Sequence, residues 1–250
     1  MASLFKNWFK GTVPPPATNF LEFLGADMHA HVLPGLDDGA DSMPQSLAMV
    51  REMKQLGYQK LILTPHIMGD FYKNTPDGIK AKLAELNQAV QQQEISIELA
   101  CAAEYYLDEW FVQKLEDKEP LLTFGDNYVL FETSFINEPM RFQEIVFKIK
   151  SNGYTPVLAH PERYSYLYNR WNSLAEWREN NVLFQVNLNS LVGYYGPEAK
   201  RMAEKLLQNK FIDFVGTDAH SEKHIHALQK LAGSSTFEKL KQLPLRNQAL

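Results

Sequence analysis

Apolar residues along this chain fall into two kinds of run, which predict strands and helices in alternation. Short runs rich in Val, Ile, Leu and Phe, bounded by polar or turn-forming residues, are typical of buried strands. Seven such runs lie at 25–28, 60–63, 95–100, 128–131, 155–159, 182–186 and 211–215. Buried strands that alternate with helices predict a mostly parallel sheet in an α/β domain.

Helical stretches lie between most of these strands and carry recognisable start and stop signals. A capping-box pattern at 42–45 opens a helix that ends at Gly57, and Thr75 followed by Pro76 opens another. Further helices are predicted at 140–150 and 197–208, whereas 109–122 has a weaker helical pattern. No internal repeat or linker interrupts the alternation, so we expect one domain.

The N-terminal stretch has a different pattern. We expect residues 1–20 to form an arm that precedes a single domain at 21–250. The first ten residues include four large apolar side chains and two lysines, which could form an amphipathic turn on a partner or membrane surface. The alternative is a tail that frays or packs on its own domain. The continuous apolar region of a secretory signal is missing.

Composition and charge narrow the functional classes. The chain has 250 residues, of which 45% are hydrophobic, enough to build the core of a single α/β barrel. Its formal net charge is -5 with both signs interspersed, which argues against nucleic-acid binding. No apolar run reaches the roughly 18 residues of a membrane span, so no transmembrane segment is expected.

The one cysteine, Cys101, excludes an internal disulfide and suits a cytoplasmic location. A cysteine phosphatase would need an activated thiolate followed by an arginine that binds the phosphate. No Arg follows Cys101 within 102–107. We therefore expect Cys101 to be a small apolar residue of a strand.

Metal-competent side chains follow six of the seven predicted strands. Because the carboxyl ends of parallel strands share one edge, we expect these side chains to converge. His29 and His31 are two residues apart, so they point to the same side of an extended segment, and Asp218 and His220 repeat that spacing. The converging residues are His29, His31, Asp38, His66, Glu104, Glu132, His160, Asp218 and His220. They are too many for one ion and predict two or three, and mixed imidazole and carboxylate donors suit Mn²⁺, Fe²⁺ or Zn²⁺.

The motifs formed by these residues resemble the PHP (polymerase and histidinol phosphatase) superfamily. They read DMHAH at 27–31, TPH at 64–66, AEYY at 103–106, AHPERY at 159–164 and TDAH at 217–220, in the order of that family. The phrase HVLPGLDDG at 31–39 resembles most the bacterial protein-tyrosine phosphatases of capsule and exopolysaccharide gene clusters. The resemblance implies the PHP fold, a distorted (β/α)7 TIM-like barrel.

The resemblance also implies three divalent metal ions, with Mn²⁺ expected ahead of Fe²⁺, Co²⁺ or Zn²⁺. Their implied ligands are His29, His31, Glu104 and Asp218 for the first ion, Glu104, Glu132 and His160 for the second, and Asp38, His66 and His220 for the third. Glu104 would bridge the first two ions. Every one of these positions carries the residue type of the family.

Catalytic roles are implied by the same resemblance for Arg163, Glu104 and Asp218. Arg163 would hold the phosphate, and a hydroxide shared between two metals would attack phosphorus. A second arginine, found in Gram-positive members after the last motif, has no counterpart in this sequence. Lys223 and His224 are the candidate substitutes for its positive charge.

Tyrosines that follow the strand ends bear on the substrate. Tyr105 and Tyr164 are predicted to bind an aromatic substrate ring, with packing of the loops as the alternative interpretation. Asp27 either orients a ligating imidazole or makes ordinary hydrogen bonds at the strand end.

The partner implied by the resemblance is the phosphotyrosine tail of a bacterial tyrosine autokinase that regulates capsule or exopolysaccharide synthesis. A homo-oligomer is left open. Two other functions also stay open: a small-molecule phosphatase such as histidinol phosphatase, and a non-catalytic binding protein whose metals stabilise the fold.

Overall fold

The computed structural model describes residues 17–250, in which parallel strands and helices alternate along the chain. The strands are β1 (Ala26–Asp27), β2 (Lys60–Leu63), β3 (His66–Ile67), β4 (Glu98–Cys101), β5 (Glu104–Tyr106), β6 (Tyr128–Glu132), β7 (Thr155–Ala159), β8 (Leu183–Asn187) and β9 (Phe214–Gly216). The helices are α1 (Met43–Leu56), α2 (Pro76–Gln92), α3 (Glu109–Glu116), α4 (Phe142–Ser151), α5 (Trp171–Glu179), α6 (Leu188–Leu191), α7 (Pro197–Gln208), α8 (Glu222–Ala227) and α9 (Ser235–Leu240). Short 3₁₀ turns cover Glu22–Leu24, Pro161–Arg163, Ser165–Leu167, Leu228–Lys230 and Arg246–Ala249.

Most of the expected N-terminal arm, residues 1–16, lies outside the described residues. The described end of that arm contacts the domain, since the Ala17 N–H donates to the Gln229 side chain at 2.7 Å. The Phe20 ring packs edge-on against Phe237, with 5.7 Å between ring centroids. The division into an arm at 1–20 and a domain at 21–250 stays a prediction.

The strands form two hydrogen-bonded groups rather than one continuous ladder. The orders are β1-β2-β4 and β3-β5-β6-β7-β8-β9, and every pair is parallel. The chain leaves the first group after β2 at Thr64 and Pro65, where proline has no N–H for the ladder. It changes group again at Ala102 and Ala103, between β4 and β5. Two of the seven predicted strands are therefore each continued by a second, offset strand.

The first and last strand segments lie side by side. Beyond β1, the His31 N–H donates to the Ala219 carbonyl at 3.0 Å, and the Asp218 N–H donates to the His29 carbonyl at 2.8 Å. The strands thus follow one another in chain order and return to their starting point. The predicted α/β class is confirmed, and the break between the two groups of strands distorts the barrel-like ring.

Most helix boundaries follow the local signals, but α3 ends at Glu116 and not at the predicted residue 122. Thr75 caps α2 by accepting the Gly78 N–H at 3.1 Å, and Gly57 ends α1 with a left-handed φ of 109°. The Ser42 hydroxyl makes no such cap bond at the start of α1. Helix α4 starts at Phe142 rather than at the predicted residue 140, because Arg141 has a φ of 63°.

The interior of the ring is filled by a small apolar cluster. Its buried members come from successive strand segments: Met28, Ile62, Ala102, Phe124, Leu130, Val157, Ala159 and Phe214. A larger apolar cluster lies between the strands and the helices. The interior of the ring is therefore a packed apolar core, and the polar side chains lie at the carboxyl ends of the strands. Within residues 17–250, no helix is both long enough and apolar enough to cross a membrane.

Candidate metal centre

Nine His, Asp and Glu side chains from different strand ends converge at one edge of the ring. They form four overlapping groups in which the donor atoms lie within 4.8 Å of one another. The groups are His31, Asp38, His66 and His220; His29, His31 and Glu104; His29, His160 and Asp218; and His66, Glu104 and Glu132. The structure therefore brings together all nine side chains that were predicted to bind metal.

The His-x-His pair projects both imidazoles to one side of an extended segment, as its spacing predicts. The Nε2 atoms of His29 and His31 are 3.2 Å apart. Both lie close to the same carboxylate oxygen, Glu104 Oε2, at 3.2 and 3.3 Å. Three donor atoms from β5 and from the segment after β1 thus surround one point.

Each of three imidazoles is held through its other ring nitrogen. Gln185 Oε1 lies 2.9 Å from His29 Nδ1, and Asp37 Oδ2 lies 2.8 Å from His31 Nδ1. The Asp218 carbonyl oxygen lies 3.0 Å from Nδ1 of His220. An acceptor at Nδ1 keeps the proton there and leaves the Nε2 lone pair for a cation.

The sequence reasoning assigned no role to Gln185 or Asp37. Gln185 is a buried polar residue inside the apolar strand β8, and Asp37 directly precedes the predicted ligand Asp38. A buried amide in a strand needs hydrogen-bond partners, and this was the available signal for Gln185.

The second pair of closely spaced ligands differs from its expected geometry. Asp218 has a φ of 49°, so the segment from Asp218 to His220 is not extended as the two-residue spacing suggested. His160 is also left-handed, with a φ of 33°. Non-glycine residues in this region are strained and concentrate at functional sites. The turn still brings His220 Nδ1 within 3.5 Å of Asp218 Oδ1.

The geometry fits divalent cations. Bonds of about 2.1 Å to one ion place neighbouring ligand atoms about 3.0 to 3.4 Å apart. His66 Nδ1 lies 3.1 Å from both Glu104 Oε2 and Glu132 Oε1. Yet His66 Nδ1 and Glu104 Oε2 are buried without a hydrogen-bond partner among the described residues. Close donor atoms whose lone pairs are not aimed at one another are the arrangement that a bound ion satisfies.

The electrostatics of the cluster also favour bound cations. Burial would raise the pKa of the Glu104 carboxyl, but the His29 and His66 imidazoles outweigh it and hold that pKa well below its usual range. Burial would lower the pKa of His29, but the Glu104 and Asp218 carboxylates overcome this and raise that pKa to about 9. The cluster concentrates negative charge that needs protons or cations to balance it.

The grouping in the structure overlaps with the implied ligand sets without matching them one by one. His66 lies with Asp38 and His220, as the resemblance implies for the third ion, but it also lies with Glu104 and Glu132. His160, expected with Glu104 and Glu132, lies 3.0 Å from Glu104 Oε1 but 3.8 Å from Glu132 Oε2. His31 joins both the first and the third sets. The division of these ligands among ions stays a prediction.

Arg163 lies at the edge of the cluster. Its Nη1 donates to Asp218 Oδ2 at 2.7 Å, and the same carboxylate oxygen accepts the Asn187 amide at 2.6 Å. The guanidinium carbon is 4.6 Å from the ring centroid of Phe135 and 4.2 Å from that of Tyr195. The arginine is thus fixed between two aromatic rings beside a predicted metal ligand.

The two tyrosines predicted to bind substrate are in the core instead. Tyr105 is 1% exposed, stacks on Phe111, and accepts the Leu122 N–H on its hydroxyl at 2.7 Å. Tyr164 is fully buried and accepts the Thr133 N–H at 3.1 Å. The prediction was wrong for both residues, since neither ring has a face free for a substrate. For Tyr105 the reason is strand alternation: Glu104 faces the cluster, so its neighbour faces the helices.

The two candidates for a second positive charge, His224 and Lys223, differ in their surroundings. His224 accepts the His220 N–H on Nδ1 at 3.0 Å. Burial, followed by the nearby His220, lowers the pKa of His224 to about 4, which disfavours a positive charge on its imidazole at pH 7. Lys223 is exposed in the first turn of α8.

Asp27 and Cys101 both have structural roles. The Asp27 carboxylate accepts the Thr217 hydroxyl at 2.6 Å and the Thr217 N–H at 3.0 Å, joining the first and last strand segments. Its partners in the structure are this Thr217 pair and the His29 N–H, so the strand-end interpretation is the one the contacts support. Cys101 is the last residue of β4 and packs against the core, as predicted. Burial raises the pKa of its thiol.

Comparison with known proteins identifies the family. The family model for capsular polysaccharide synthesis, CpsB/CapC, matches residues 25–236, which include the whole cluster. The chain belongs to the CpsB/CapC family. The chain is 29% identical over 235 residues to the tyrosine-protein phosphatase YwqE of Bacillus subtilis, covering 90% of this chain and 92% of YwqE. It is 25% identical over 200 residues to the tyrosine-protein phosphatase CpsB of Streptococcus pneumoniae, covering 78% and 82%.

A solved structure supports the family at the level of the fold. Crystal structures of YwqE from Bacillus subtilis and CpsB from Streptococcus pneumoniae are described as unique metal-dependent tyrosine phosphatases. The match to this CpsB/CapC chain has a TM-score of 0.76 and 29% identity, and covers 89% of this chain and 95% of that chain. The recognised resemblance to capsule-type tyrosine phosphatases is therefore confirmed.

Proposed function

We propose that this chain is a metal-dependent protein-tyrosine phosphatase that hydrolyses phosphotyrosine in a protein substrate. The observation that carries the proposal is the convergence of nine metal-competent side chains beside Arg163, which donates to one of them, Asp218. Dense carboxylate and imidazole donors can hold cations, and the guanidinium adds a two-pronged donor for phosphate oxygens. The names of the relatives YwqE and CpsB support the same activity.

The cluster has the donors for three divalent ions, and we propose Mn²⁺ ahead of Fe²⁺, Co²⁺ or Zn²⁺. The proposed ligands are His29, His31, Glu104 and Asp218; Glu104, Glu132 and His160; and Asp38, His66 and His220. Divalent cations held there would supply Lewis acidity to the phosphoryl oxygens and lower the pKa of a bound water toward neutrality.

The chain's own residues position the reacting groups. Arg163 can turn its free donors toward phosphate oxygens while Nη1 stays on Asp218. Asp218 is itself fixed by the Asn187 amide and lies within 3.5 Å of His29 Nε2. Glu104, fully buried, touches four imidazoles, those of His29, His31, His66 and His160. A phosphate at this point would meet donors on one side and metal-binding groups on the other.

A phenolate leaving group suits the proposed mechanism. A tyrosine phenolate has a pKa near 10, so it departs with less protonation than an alkoxide such as serine requires. The proposed mechanism needs neither a thiolate nor a covalent phosphoenzyme.

The physiological substrate we propose is the phosphotyrosine tail of a bacterial tyrosine kinase. Membership of the capsular polysaccharide synthesis family supports a role in that synthesis, and a tyrosine kinase is the partner that the family resemblance implies. A cytoplasmic location is part of the proposal, since an ATP-dependent kinase works where ATP is present. Whether the chain self-associates is left open by the sequence, and light scattering of the purified protein would decide it.

The decisive experiment is a metal-controlled assay on several phosphomonoesters. EDTA should abolish hydrolysis of a phosphotyrosine peptide, and Mn²⁺, Fe²⁺ or Co²⁺ should restore it. The value of kcat/KM should be highest for that peptide, ahead of a phosphoserine peptide and histidinol phosphate. Undiminished turnover by protein shown to be metal-free by elemental analysis would disprove the metal dependence. Faster hydrolysis of histidinol phosphate would leave a metal phosphatase but disprove the tyrosine specificity.

A further inference from the structure

Five of the six large exposed apolar side chains in residues 17–250 lie in loops on the side of the ring that carries the metal centre, here called its mouth. The six are Phe71, Phe135, Ile136, Met140, Phe147 and Tyr194. All except Phe147 lie in loops that follow the carboxyl ends of β3, β6 and β8. Exposed apolar side chains that also touch functional groups are candidates for ligand contact.

Aromatic rings from these three loops also contact polar residues of the centre. Tyr72 stacks on His66 with 5.5 Å between ring centroids, and Tyr195 lies 4.2 Å from the Arg163 guanidinium. Phe135 stacks on His160 at 5.6 Å and lies 4.6 Å from the guanidinium. Phe135 therefore contacts both a predicted metal ligand and the predicted phosphate-binding group.

Phe135 combines this position with exposure. Its side chain is 40% exposed, whereas Tyr105 and Tyr164, the other rings considered for substrate binding, are buried. Tyr194 is 44% exposed, but its ring contacts Tyr195 and His224 rather than Arg163. Among the rings at the mouth, Phe135 alone in the described residues is exposed by more than a third and in contact with the arginine.

Hydrogen bonds to the backbone fix the position of Phe135 relative to Arg163. The Phe135 carbonyl accepts two hydrogen bonds from Ser165, from the N–H at 2.8 Å and from the hydroxyl at 2.9 Å. Ser165 follows Arg163 by two residues, so the ring and the guanidinium are fixed to the same turn. A ring fixed in this way can contact a substrate with little loss of conformational entropy.

We propose that Phe135 is the platform on which the aromatic ring of an aryl phosphomonoester rests, and that it makes the site selective for aryl over alkyl phosphates. The inference rests on the proposed function and adds its specificity-determining residue. In an aryl phosphate the ring is one oxygen atom away from phosphorus. A phosphate held by Arg163 and the metal centre therefore places that ring beside the side chain that packs on Arg163. An alkyl phosphate such as phosphoserine has no ring to make this contact.

The test compares aryl and alkyl ligands on Phe135→Leu and on the wild-type protein, both loaded with Mn²⁺. Calorimetry would measure the Kd of phenylphosphonate and of methylphosphonate, which bind without being hydrolysed. A ring-to-ring contact contributes about two- to tenfold in affinity. We expect the phenylphosphonate Kd to rise by that factor in Phe135→Leu, with the methylphosphonate Kd unchanged. Phe135→Trp should keep the wild-type preference.

Kinetics supply the matching readout with two peptides of one sequence, carrying phosphotyrosine or phosphoserine. The ratio of their kcat/KM values should fall about two- to tenfold in Phe135→Leu. Phe147→Leu is the matched control, because Phe147 is also an exposed phenylalanine but lies on α4. It should leave the ratio unchanged.

Three outcomes would overturn the proposal. Equal losses for both phosphonates would mean that Phe135 only positions Arg163. Unchanged values for both would mean that the substrate ring lies elsewhere, and loss of the preference in Phe135→Trp would mean that the site requires phenylalanine for packing alone. Failure of the proposed function would look different, because the wild-type protein would then not hydrolyse the phosphotyrosine peptide although phosphonate binding could still be measured.

Discussion

At the scale of single residues, one buried amide links much of the metal centre. Gln185 Oε1 lies 2.9 Å from His29 Nδ1 and accepts the His160 N–H at 3.2 Å. Its Nε2 donates to Asn187 Oδ1 at 2.9 Å, and Asn187 in turn donates to Asp218. One side chain of β8 therefore orients an imidazole, a backbone turn and, through Asn187, a carboxylate. Such outer hydrogen bonds commonly change metal affinity by about 10- to 100-fold when lost.

Arg163 offers a direct separation of metal binding from phosphate binding. We expect Arg163→Ala to retain its metal ions, because the nine donor side chains are unchanged, and to lose about two to three orders of magnitude in kcat/KM. Arg163→Lys should recover only part of the loss, since an ammonium cannot form the two-pronged contact. Metal analysis and steady-state kinetics on the same preparations check both statements.

Arg170→Ala is a suitable control for this experiment. Arg170 pairs with Glu138 on the surface and is half exposed, so its removal should leave turnover near the wild-type value. Near-wild-type turnover by Arg163→Ala would show that other groups hold the phosphate.

At the scale of secondary-structure elements, the close approach of β9 to the segment after β1 sets the geometry of the centre. Gly216, the last residue of β9, has no room for a side chain: an added Cβ would lie 2.6 Å from the His29 Cβ and 3.0 Å from Gln185 Nε2. Glycine is therefore required by this contact and not by a left-handed backbone.

Gly216→Ala should weaken metal binding and lower stability together. The added methyl group must push back His29 or Gln185, and overpacking of this kind costs about 1 to 3 kcal/mol. We expect a weaker Mn²⁺ affinity by calorimetry and a lower free energy of unfolding in denaturant. Wild-type metal affinity in this variant would show that the strand ends can separate without disturbing the site.

Gly153→Ala supplies the comparison for Gly216→Ala. Gly153 ends the α4 region with a φ of 85° and has open space around it, so alanine there adds backbone strain without crowding the centre. This variant should lose stability and keep its metal affinity, which separates the two effects.

The elements also show what sequence patterns can and cannot predict. The runs at 60–63 and 155–159 coincide with β2 and β7, because strands buried on both faces are continuously apolar. The offset strands β3 and β5 were not predicted, since the change of partner at Pro65 depends on which strands pair. The ligands followed from their position at strand ends and from the family resemblance. Gln185 was missed because its role depends on a contact 156 residues away in the sequence.

At the scale of the whole molecule, the metal centre is a concentration of charge inside a chain with a formal net charge of -5. Four of its nine donors are carboxylates, and its imidazoles pair with them within 3.8 Å. The same donors join segments that are far apart in sequence, from residue 29 to residue 220. Metal binding should therefore stabilise the whole ring and not only the site, since the unfolded chain has no such cluster.

The stability that bound metal adds should depend on pH. Carboxylates raise the pKa of buried His29 to about 9, above its ordinary value of 6.5. A raised histidine pKa contributes stability that is fully present below pH 6.5 and is lost as pH rises from 6.5 to 9. Protein treated with EDTA should therefore lose thermal stability across that window. Ligating imidazoles are deprotonated, so protein saturated with metal should not show this loss, and the difference in Tm between the two forms should widen with pH.

Thermal unfolding at several pH values, with EDTA or with excess metal, measures the effect. His226→Ala is the control, because His226 is exposed and pairs with Glu52 outside the cluster, so the divergence should persist in it. His29→Asn should reduce the divergence, since it removes both a titrating group and a ligand, whereas His31 and His66, whose pKa values are also raised, remain. A constant Tm of the EDTA-treated protein between about pH 6.5 and 9 would contradict this prediction. It would mean that protons do not balance the carboxylates when metal is absent, so that protons and cations do not compete for the cluster.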